Sequence, residues 1–206
     1  MQIRFATDLS ADEYVRQRAW KDARLDTCPL HSKRGCGFAS HGTYSRQTPK
    51  GTKIARWYCP EGHITFSLLP DCLSSRLPGP LIDVEIAINE VENAPSQEAA
   101  VYDLRLDIGF TGVLRWIRRR VFLVRTTLTL LIELLPILPQ NCRPCISSFK
   151  AALGVEYVLP ALRISAGPYL YVLPPPVGFG PRPQRKRHSK SPFQHKTGTD
   201  PPKRKG

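Results

Sequence analysis

Two short Cys/His motifs, Cys28-Pro-Leu-His31 and Cys59-Pro-Glu-Gly-His63, enclose a β-prone segment near the N-terminus of this chain. A further cysteine, Cys36, lies just after the first motif and is followed at once by a glycine. Tetrahedral Zn²⁺ needs four thiolate or imidazole donors that converge on one point, and turns joined by a hairpin can supply them two at a time. The spacing therefore predicts a zinc ribbon that folds around one structural zinc ion.

The ligand set that the sequence favours is Cys28, Cys36, Cys59 and His63, with His31 as the alternative to Cys36. The proline and glycine between Cys59 and His63 predict a tight turn that aims both side chains at a common centre. His31 has the shorter spacing from Cys28, whereas Cys36 is followed by glycine, as second ligands in zinc knuckles often are. Four such ligands leave no open position, which indicates structural zinc and no metal-based catalysis.

Between the two motifs the sequence predicts strands. Gly42-Thr-Tyr-Ser-Arg46 and Lys53-Ile-Ala-Arg-Trp-Tyr58 flank Thr48-Pro-Lys-Gly51, whose proline and glycine are typical of a turn. The pattern predicts a β-hairpin, and Ile64-Thr-Phe-Ser67 adds a third strand.

Helices are predicted on both sides of this ribbon. Ser10-Ala-Asp-Glu13 is a capping box that starts a helix from about Ala11 to Arg24. Further on, Ser96 caps a short helix, and Thr111 caps a long one after a break at Gly109. Apolar residues at helical spacing predict a helix after Pro80 and one stripe along the long helix: Leu81, Val84, Ile88 and Val91, then Leu114, Ile117, Val121, Val124, Leu128, Leu131 and Leu135.

The predicted fold class is α+β, a zinc-ribbon hairpin module followed by a helical bundle of the helix-turn-helix kind. The segments are an N-terminal helix (1–27), the ribbon (28–73), the helix-turn-helix-like region (80–138), a poorly defined helical or loop segment (139–173) and a disordered, proline-rich basic tail (174–206).

The charge of the chain is strongly basic, with 30 Lys and Arg against 17 Asp and Glu and a net charge of +13. The tail from Pro174 holds nine of the basic residues and one acidic residue, Asp200, so it carries most of the excess. Such a tail suits phosphate backbones or anionic membranes, although a merely solvated end has the same composition.

The ribbon resembles the zinc-ribbon segment of bacterial insertion-sequence transposases and related transposon-derived proteins. The resemblance rests on these residues: Cys28-Pro, Cys36-Gly37, His41-Gly42-Thr-Tyr44-x-Arg46, Arg56-Trp-Tyr-Cys59-Pro and His63-Ile-Thr-Phe66. It departs from the pattern in its longer first knuckle and in a second Cys-x-x-x-His. The resemblance covers about the first 125 residues and implies a following helix-turn-helix, here residues 81 to 122, and DNA binding.

Basic residues in two places are the predicted DNA contacts. If the apolar stripe of the long helix faces a core, Arg115, Arg118 and Arg119 lie on the opposite side and can enter a major groove. The hairpin would add contacts to the DNA backbone from four more basic residues: Arg46, Lys50, Lys53 and Arg56. An ordinary solvated helix face would show the same charges.

Nothing in the sequence points to an enzyme or to a small-molecule substrate. Two-metal phosphoryl transfer needs clustered acidic residues, and beyond Arg120 the acids are only Glu133, Glu156 and Asp200. The N-terminus has no apolar stretch typical of a secretory signal, so we expect a cytoplasmic, nucleoid-associated bacterial protein with reduced cysteines. Cys72 is predicted as a core thiol, and Cys142-Arg-Pro-Cys145 lacks a partner pair for a second metal site.

Two other functions compete with DNA binding. The apolar stripe within residues 111 to 135 could form a coiled-coil seam, which would make the chain a zinc-stabilised, homo-oligomeric adaptor. Residues 121 to 138 could anchor the chain to a membrane, but Arg125 and Glu133 interrupt that stretch.

Overall fold

A computed structural model describes residues 1–31, 35–100, 110–139 and 141–183 of the chain. Within these ranges the chain is α+β, with one four-stranded sheet and several helices. The strands are β1 (Gln2–Phe5), β2 (Ala39–Ser45), β3 (Lys53–Cys59) and β4 (Ile64–Pro70). The α-helices are α1 (Ala11–Arg16), α2 (Leu81–Asn93), α3 (Gln97–Ala100), α4 (Phe110–Leu134), α5 (Ile146–Leu153) and α6 (Val158–Ser165).

The sheet has the strand order β1-β4-β3-β2. The antiparallel pairs β2–β3 and β3–β4 confirm the predicted hairpin and its third strand. β1 was not predicted from the sequence; it lies parallel to β4, with Gln2 opposite Ser67 and Phe5 opposite Pro70. The N-terminal segment is therefore part of the sheet, and the residues before α1 are held by backbone pairing.

The two faces of the sheet pack against different parts of the chain. Successive strand residues point to opposite faces, and the buried residues follow this rule. Ile54 and Leu69 belong to the large core that the helices form. Ala55 and Leu68 belong to a small cluster with Ala23, on the side of the N-terminal segment.

The first helix starts as predicted but ends earlier. Ser10 and Glu13 form the capping box, with each side chain accepting a hydrogen bond from the other residue's backbone amide. α1 stops at Arg16, because Arg18 adopts a left-handed backbone with φ of 55°, and a short 3₁₀ turn follows. Tyr14 is fully buried and donates a hydrogen bond to the Lys53 carbonyl, which fastens α1 to the sheet.

The long helix α4 buries its apolar stripe inside the molecule. Its apolar residues that are at most 5% exposed are Val113, Ile117, Val121, Leu123, Val124, Leu128 and Leu131. Each such side chain contributes about 1.5–3 kcal/mol when fully buried, and this face of α4 packs against other parts of the same chain. Thr111, predicted as the cap of α4, lies one residue inside it, whereas Gly109 falls outside the described residues.

Among the helices within the described ranges, none is both long enough and apolar enough to cross a membrane.

Residues 141 to 183 form more regular structure than the sequence indicates. The segment predicted as poorly defined holds α5 and α6, which are separated at Gly154, where φ is +64°. Residues 174 to 180, assigned from the sequence to a disordered tail, are all buried, so the packed structure extends at least to Gly180. Arg163 of α6 is fully buried and donates hydrogen bonds to the Pro176 carbonyl of this segment and to the Leu73 carbonyl after β4. Burial lowers the pKa of Arg163 to about 10.

Two acidic residues of α2 cap the last two helices. The buried Glu85 carboxylate accepts hydrogen bonds from the Val158 and Leu159 amides at 2.8 and 2.7 Å, at the start of α6. Glu92, two turns further along α2, accepts from the Ile146 amide at 2.9 Å at the start of α5. Carboxylates at helix N-termini satisfy unpaired amides and oppose the helix dipole, so α2 sets where α5 and α6 begin.

Replacing Glu85 by Ala should lower the free energy of unfolding by about 2–4 kcal/mol, because it leaves two buried amides without acceptors. Urea denaturation followed by circular dichroism measures this loss. Glu90→Ala, an exposed position on the same helix, is the matched control and should cost less than about 1 kcal/mol. Equal losses in the two variants would contradict the capping role of Glu85.

Candidate metal centre and basic groove

Four potential ligands converge beside the hairpin. The ligand atoms of Cys28, His31, Cys36 and Cys59 all lie within 4.8 Å of one another, which is close enough to bind one metal ion. His31 Nδ1 is 3.5 Å from Cys28 Sγ and 3.4 Å from Cys59 Sγ. All six cysteines of the chain are free thiols. The cluster therefore contains both His31 and Cys36, which the sequence offered as alternatives for one ligand position.

The local backbone explains how the thiols reach this point. Gly37, directly after Cys36, has a φ of +68°, a left-handed conformation that glycine adopts without strain. At the other end of the cluster, the Gly62 amide donates a hydrogen bond to Cys59 Sγ at 3.3 Å. A side chain at Gly62 would have a Cβ only 2.7 Å from Leu30 and 3.5 Å from that sulfur, so glycine lets the two turns approach.

His31 presents its two ring nitrogens to different partners. Nδ1 faces the thiols, and Nε2 lies 3.7 Å from the Glu61 carboxylate. A carboxylate beside the outer nitrogen of a metal-binding histidine favours the tautomer in which the inner nitrogen is free to coordinate. Glu61 therefore supports coordination through Nδ1.

The thiols of Cys28 and Cys59 have pKa values that are shifted in opposite directions. Burial acts to raise the pKa of Cys28, but hydrogen bonds from the Leu30 and His31 amides and from neighbouring side chains outweigh it and lower the pKa to about 7. Burial raises the pKa of Cys59, and the nearby thiols of Cys28 and Cys36 raise it further. Three crowded thiolates repel one another, and a divalent cation removes this penalty.

The structure does not bring His63 to the cluster. Its backbone is left-handed, with φ of 49°, and its exposed ring instead lies with Nδ1 3.4 Å from the Tyr58 hydroxyl. The turn after Cys59 thus aims the thiol inward and the imidazole away. The spacing Cys28-x-x-His31 was the signal for the histidine that the cluster does contain.

The remaining cysteines lie elsewhere. Cys72 packs against the main core, and burial raises its pKa to about 12. Cys142 and Cys145 precede α5, with their sulfurs 3.4 Å from the hydroxyls of Ser148 and Ser147, respectively. Within the described residues, no group of metal ligands includes any of these three cysteines.

The predicted DNA contacts of the hairpin have different environments. Arg46 has a structural role, because its guanidinium is largely buried and donates hydrogen bonds to the Ser74 and Leu77 carbonyls. Burial lowers the pKa of Arg46. Arg56 is half-buried, whereas Lys50 and Lys53 are exposed at the turn end of the hairpin.

The predicted arginines of α4 line a groove of about 1,020 Å³, formed by α4 on one side and by residues 76–78 and 182–183 on the other. Arg115, Arg118 and Arg119 are exposed there, and Arg118 also forms an ion pair with Glu98 at 2.8 Å. In the part of the chain that the structure describes, neither Arg115 nor Arg119 makes a hydrogen bond or an ion pair through its side chain.

Three further arginines line the groove, and the sequence did not predict them as DNA contacts. Arg76 and Arg182 lie in segments far apart in the chain, and the Arg182 guanidinium donates a hydrogen bond to the Arg76 carbonyl at 3.0 Å. Arg120 stacks on Trp116, with its guanidinium carbon 3.7 Å from the ring centroid. No acidic residue of the described ranges lines this groove. Only the tertiary fold places these cations together, so no local pattern could have revealed the site.

Comparison with protein-family models gives no match, and neither curated proteins nor solved structures match the chain. The transposase relationship therefore stays a prediction from the residues quoted above. The geometry defines an α+β protein with a Cys₃His cluster beside its hairpin and an arginine-lined groove among its helices.

Replacing His31 by Ala should weaken metal binding at least tenfold, whereas His63→Ala should leave it unchanged. Loss of a group that merely supports a ligand already costs about 10–100-fold in metal affinity, so loss of a ligand should cost no less. Competition with a chromophoric chelator measures both affinities. A larger effect of His63→Ala than of His31→Ala would contradict the ligand set of the cluster.

Proposed function

We propose that the protein is a non-catalytic DNA-binding protein, stabilised by one zinc ion, that holds DNA in the arginine-lined groove. The observation that carries this proposal is the convergence of six arginines, from three segments of the chain, on one groove. Arginine guanidinium groups bind phosphate oxygens through paired, charge-assisted hydrogen bonds. A nucleic-acid backbone is the ligand with enough regularly spaced negative charge for such a surface.

The net charge of the chain supports the same ligand. The residues beyond Pro183, where the groove ends, carry eight further Lys and Arg and one Asp. Binding of DNA to such a protein releases counterions, and affinity falls steeply with salt. The tail thereby extends the attraction for DNA beyond the groove without specifying a sequence.

Zinc is the metal that the donor set favours. Three thiols and one imidazole suit tetrahedral Zn²⁺, and a complete set of four protein ligands is typical of structural zinc. With Zn–S of about 2.3 Å and Zn–N of about 2.0–2.1 Å, a tetrahedral site separates sulfur from nitrogen by about 3.6 Å. The two sulfur–nitrogen distances at His31, 3.5 and 3.4 Å, agree with this geometry.

The ion would hold a part of the molecule that has little apolar support. The cluster around Cys28, Cys36 and Cys59 includes one other buried residue, Phe66, and is separate from the large helical core. Metal binding can supply folding free energy that so small a cluster lacks.

Chelation of the metal should release residues 25 to 40 and leave the helical core folded. Hydrogen–deuterium exchange should then show faster exchange in that segment and unchanged protection in α2 and α4, because their contacts do not involve the cluster. Substitution by Co²⁺ should add the absorption bands of tetrahedral thiolate coordination. Unchanged exchange throughout the chain after exhaustive chelation would exclude a structural role for the metal.

The double substitution Arg115→Ala/Arg119→Ala should weaken DNA binding and lower the slope of log K against log salt by about 2, because it removes two phosphate contacts. Gel-shift titrations of the zinc-loaded full chain with a mixture of native and heat-denatured DNA, over a salt series, measure both quantities.

The control for this experiment is Lys21→Ala/Arg24→Ala. It removes the same charge from exposed residues beside Trp57, on the other side of the sheet. Binding of DNA with equal loss in both variants would mean that net charge, and not the groove, determines affinity. Absence of DNA binding by the unmodified chain would reject the proposed function.

A further inference from the structure

We infer that the arginine-lined groove accommodates a single strand of nucleic acid in preference to a duplex. This inference rests on the proposed function and specifies the form of its ligand. It departs from the expectation that α4 inserts into a major groove as a recognition helix.

The position of the arginines on α4 favours a single strand. A recognition helix must protrude so that it can enter a major groove about 12 Å wide and bring its side chains to the base edges. Arg115 and Arg119 instead face a concave space, and the segments 76–78 and 182–183 form its other side. A duplex that took α4 into its major groove would have to accommodate these segments as well, whereas a single strand needs only the space between them and the helix.

Positive charge is present on both sides of this space. Arg76 and Arg182 lie opposite Arg115 and Arg119, and all four side chains are exposed. A charged groove that contacts one backbone from two sides is the usual arrangement in proteins that bind single strands without reading their sequence.

Aromatic side chains supply a surface for unstacked bases. Trp116 and Phe122 line the groove and also pack against the helical core, and the guanidinium carbon of the buried Arg120 lies 3.7 Å from the centroid of the Trp116 ring. Bases of a single strand stack on aromatic rings and on arginine planes, whereas bases inside a duplex are already stacked on one another. The parts of the two aromatic rings that line the groove would therefore add affinity for a single strand and not for a duplex.

The groove also continues far enough for an extended ligand. A smaller cavity of about 310 Å³ shares Pro78, Trp116 and Arg120 with it and reaches Thr48 in the hairpin turn. The exposed Lys50 lies in that turn, although Asp83 also lines this cavity. The path from Arg182 to the turn thus crosses several basic side chains, as a chain of several nucleotides requires.

The test compares two fluorescent ligands, an oligothymidine of about twenty nucleotides and a duplex of the same length, by anisotropy with the zinc-loaded full chain. At equal salt we expect the oligothymidine to bind at least about tenfold more tightly. Arg115→Ala/Arg119→Ala should abolish this preference. Arg185→Ala/Arg187→Ala, which removes the same charge from the tail, should retain it.

The outcomes separate this inference from the proposed function. Equal or tighter binding of the duplex overturns the inference and leaves DNA binding by the groove intact. A preference for the single strand that survives Arg115→Ala/Arg119→Ala also overturns it, because the strand would then bind elsewhere. Failure to bind either ligand rejects the inference and the proposed function together.

Discussion

The packing of one apolar stripe of α4 into the interior determines which other side chains of this helix face the groove. Ile117, Val124 and Leu128 are fully buried among residues of the sheet, α2 and the C-terminal helices. Because a helix has a fixed angular period, burying this stripe fixes the direction of every other side chain on α4. The arginines at its N-terminal half consequently face the groove, on the side of α4 that the buried stripe leaves exposed.

The Cys/His cluster and the helical core lie against opposite faces of the same sheet. The helical face is covered by a large apolar cluster. Glu85 and Glu92 of α2 accept hydrogen bonds from the unpaired amides at the starts of α6 and α5. The other face is covered by a short N-terminal segment with few large side chains, beside which the ligands converge. A metal ion is effective at such a place because four ligands order several turns of backbone at once. The groove belongs to the helical side and does not depend directly on the cluster.

Much of the fold could be predicted because it follows from local patterns. The capping box at Ser10, the hairpin around Thr48-Pro-Lys-Gly51 and the stripe of α4 each depend on neighbouring residues. The Cys/His cluster was partly predictable, since its location and its three cysteines follow from their spacing. The choice between His31 and His63 as the fourth residue does not follow from spacing. It depends on the backbone of His63, whose left-handed φ directs the ring away from the cluster. Residue type alone does not reveal such a conformation in a residue other than glycine.

The parts that could not be predicted all involve residues distant in sequence. The parallel strand β1 pairs with β4 across more than sixty residues, and Arg46 is buried by carbonyls of a loop that follows the sheet. The groove is the most consequential case, since Arg76, Arg115 and Arg182 come together only in the folded chain. Like charges assembled in this way repel one another and oppose folding. An anionic ligand that bound the folded state would reverse this effect and would stabilise the protein by mass action.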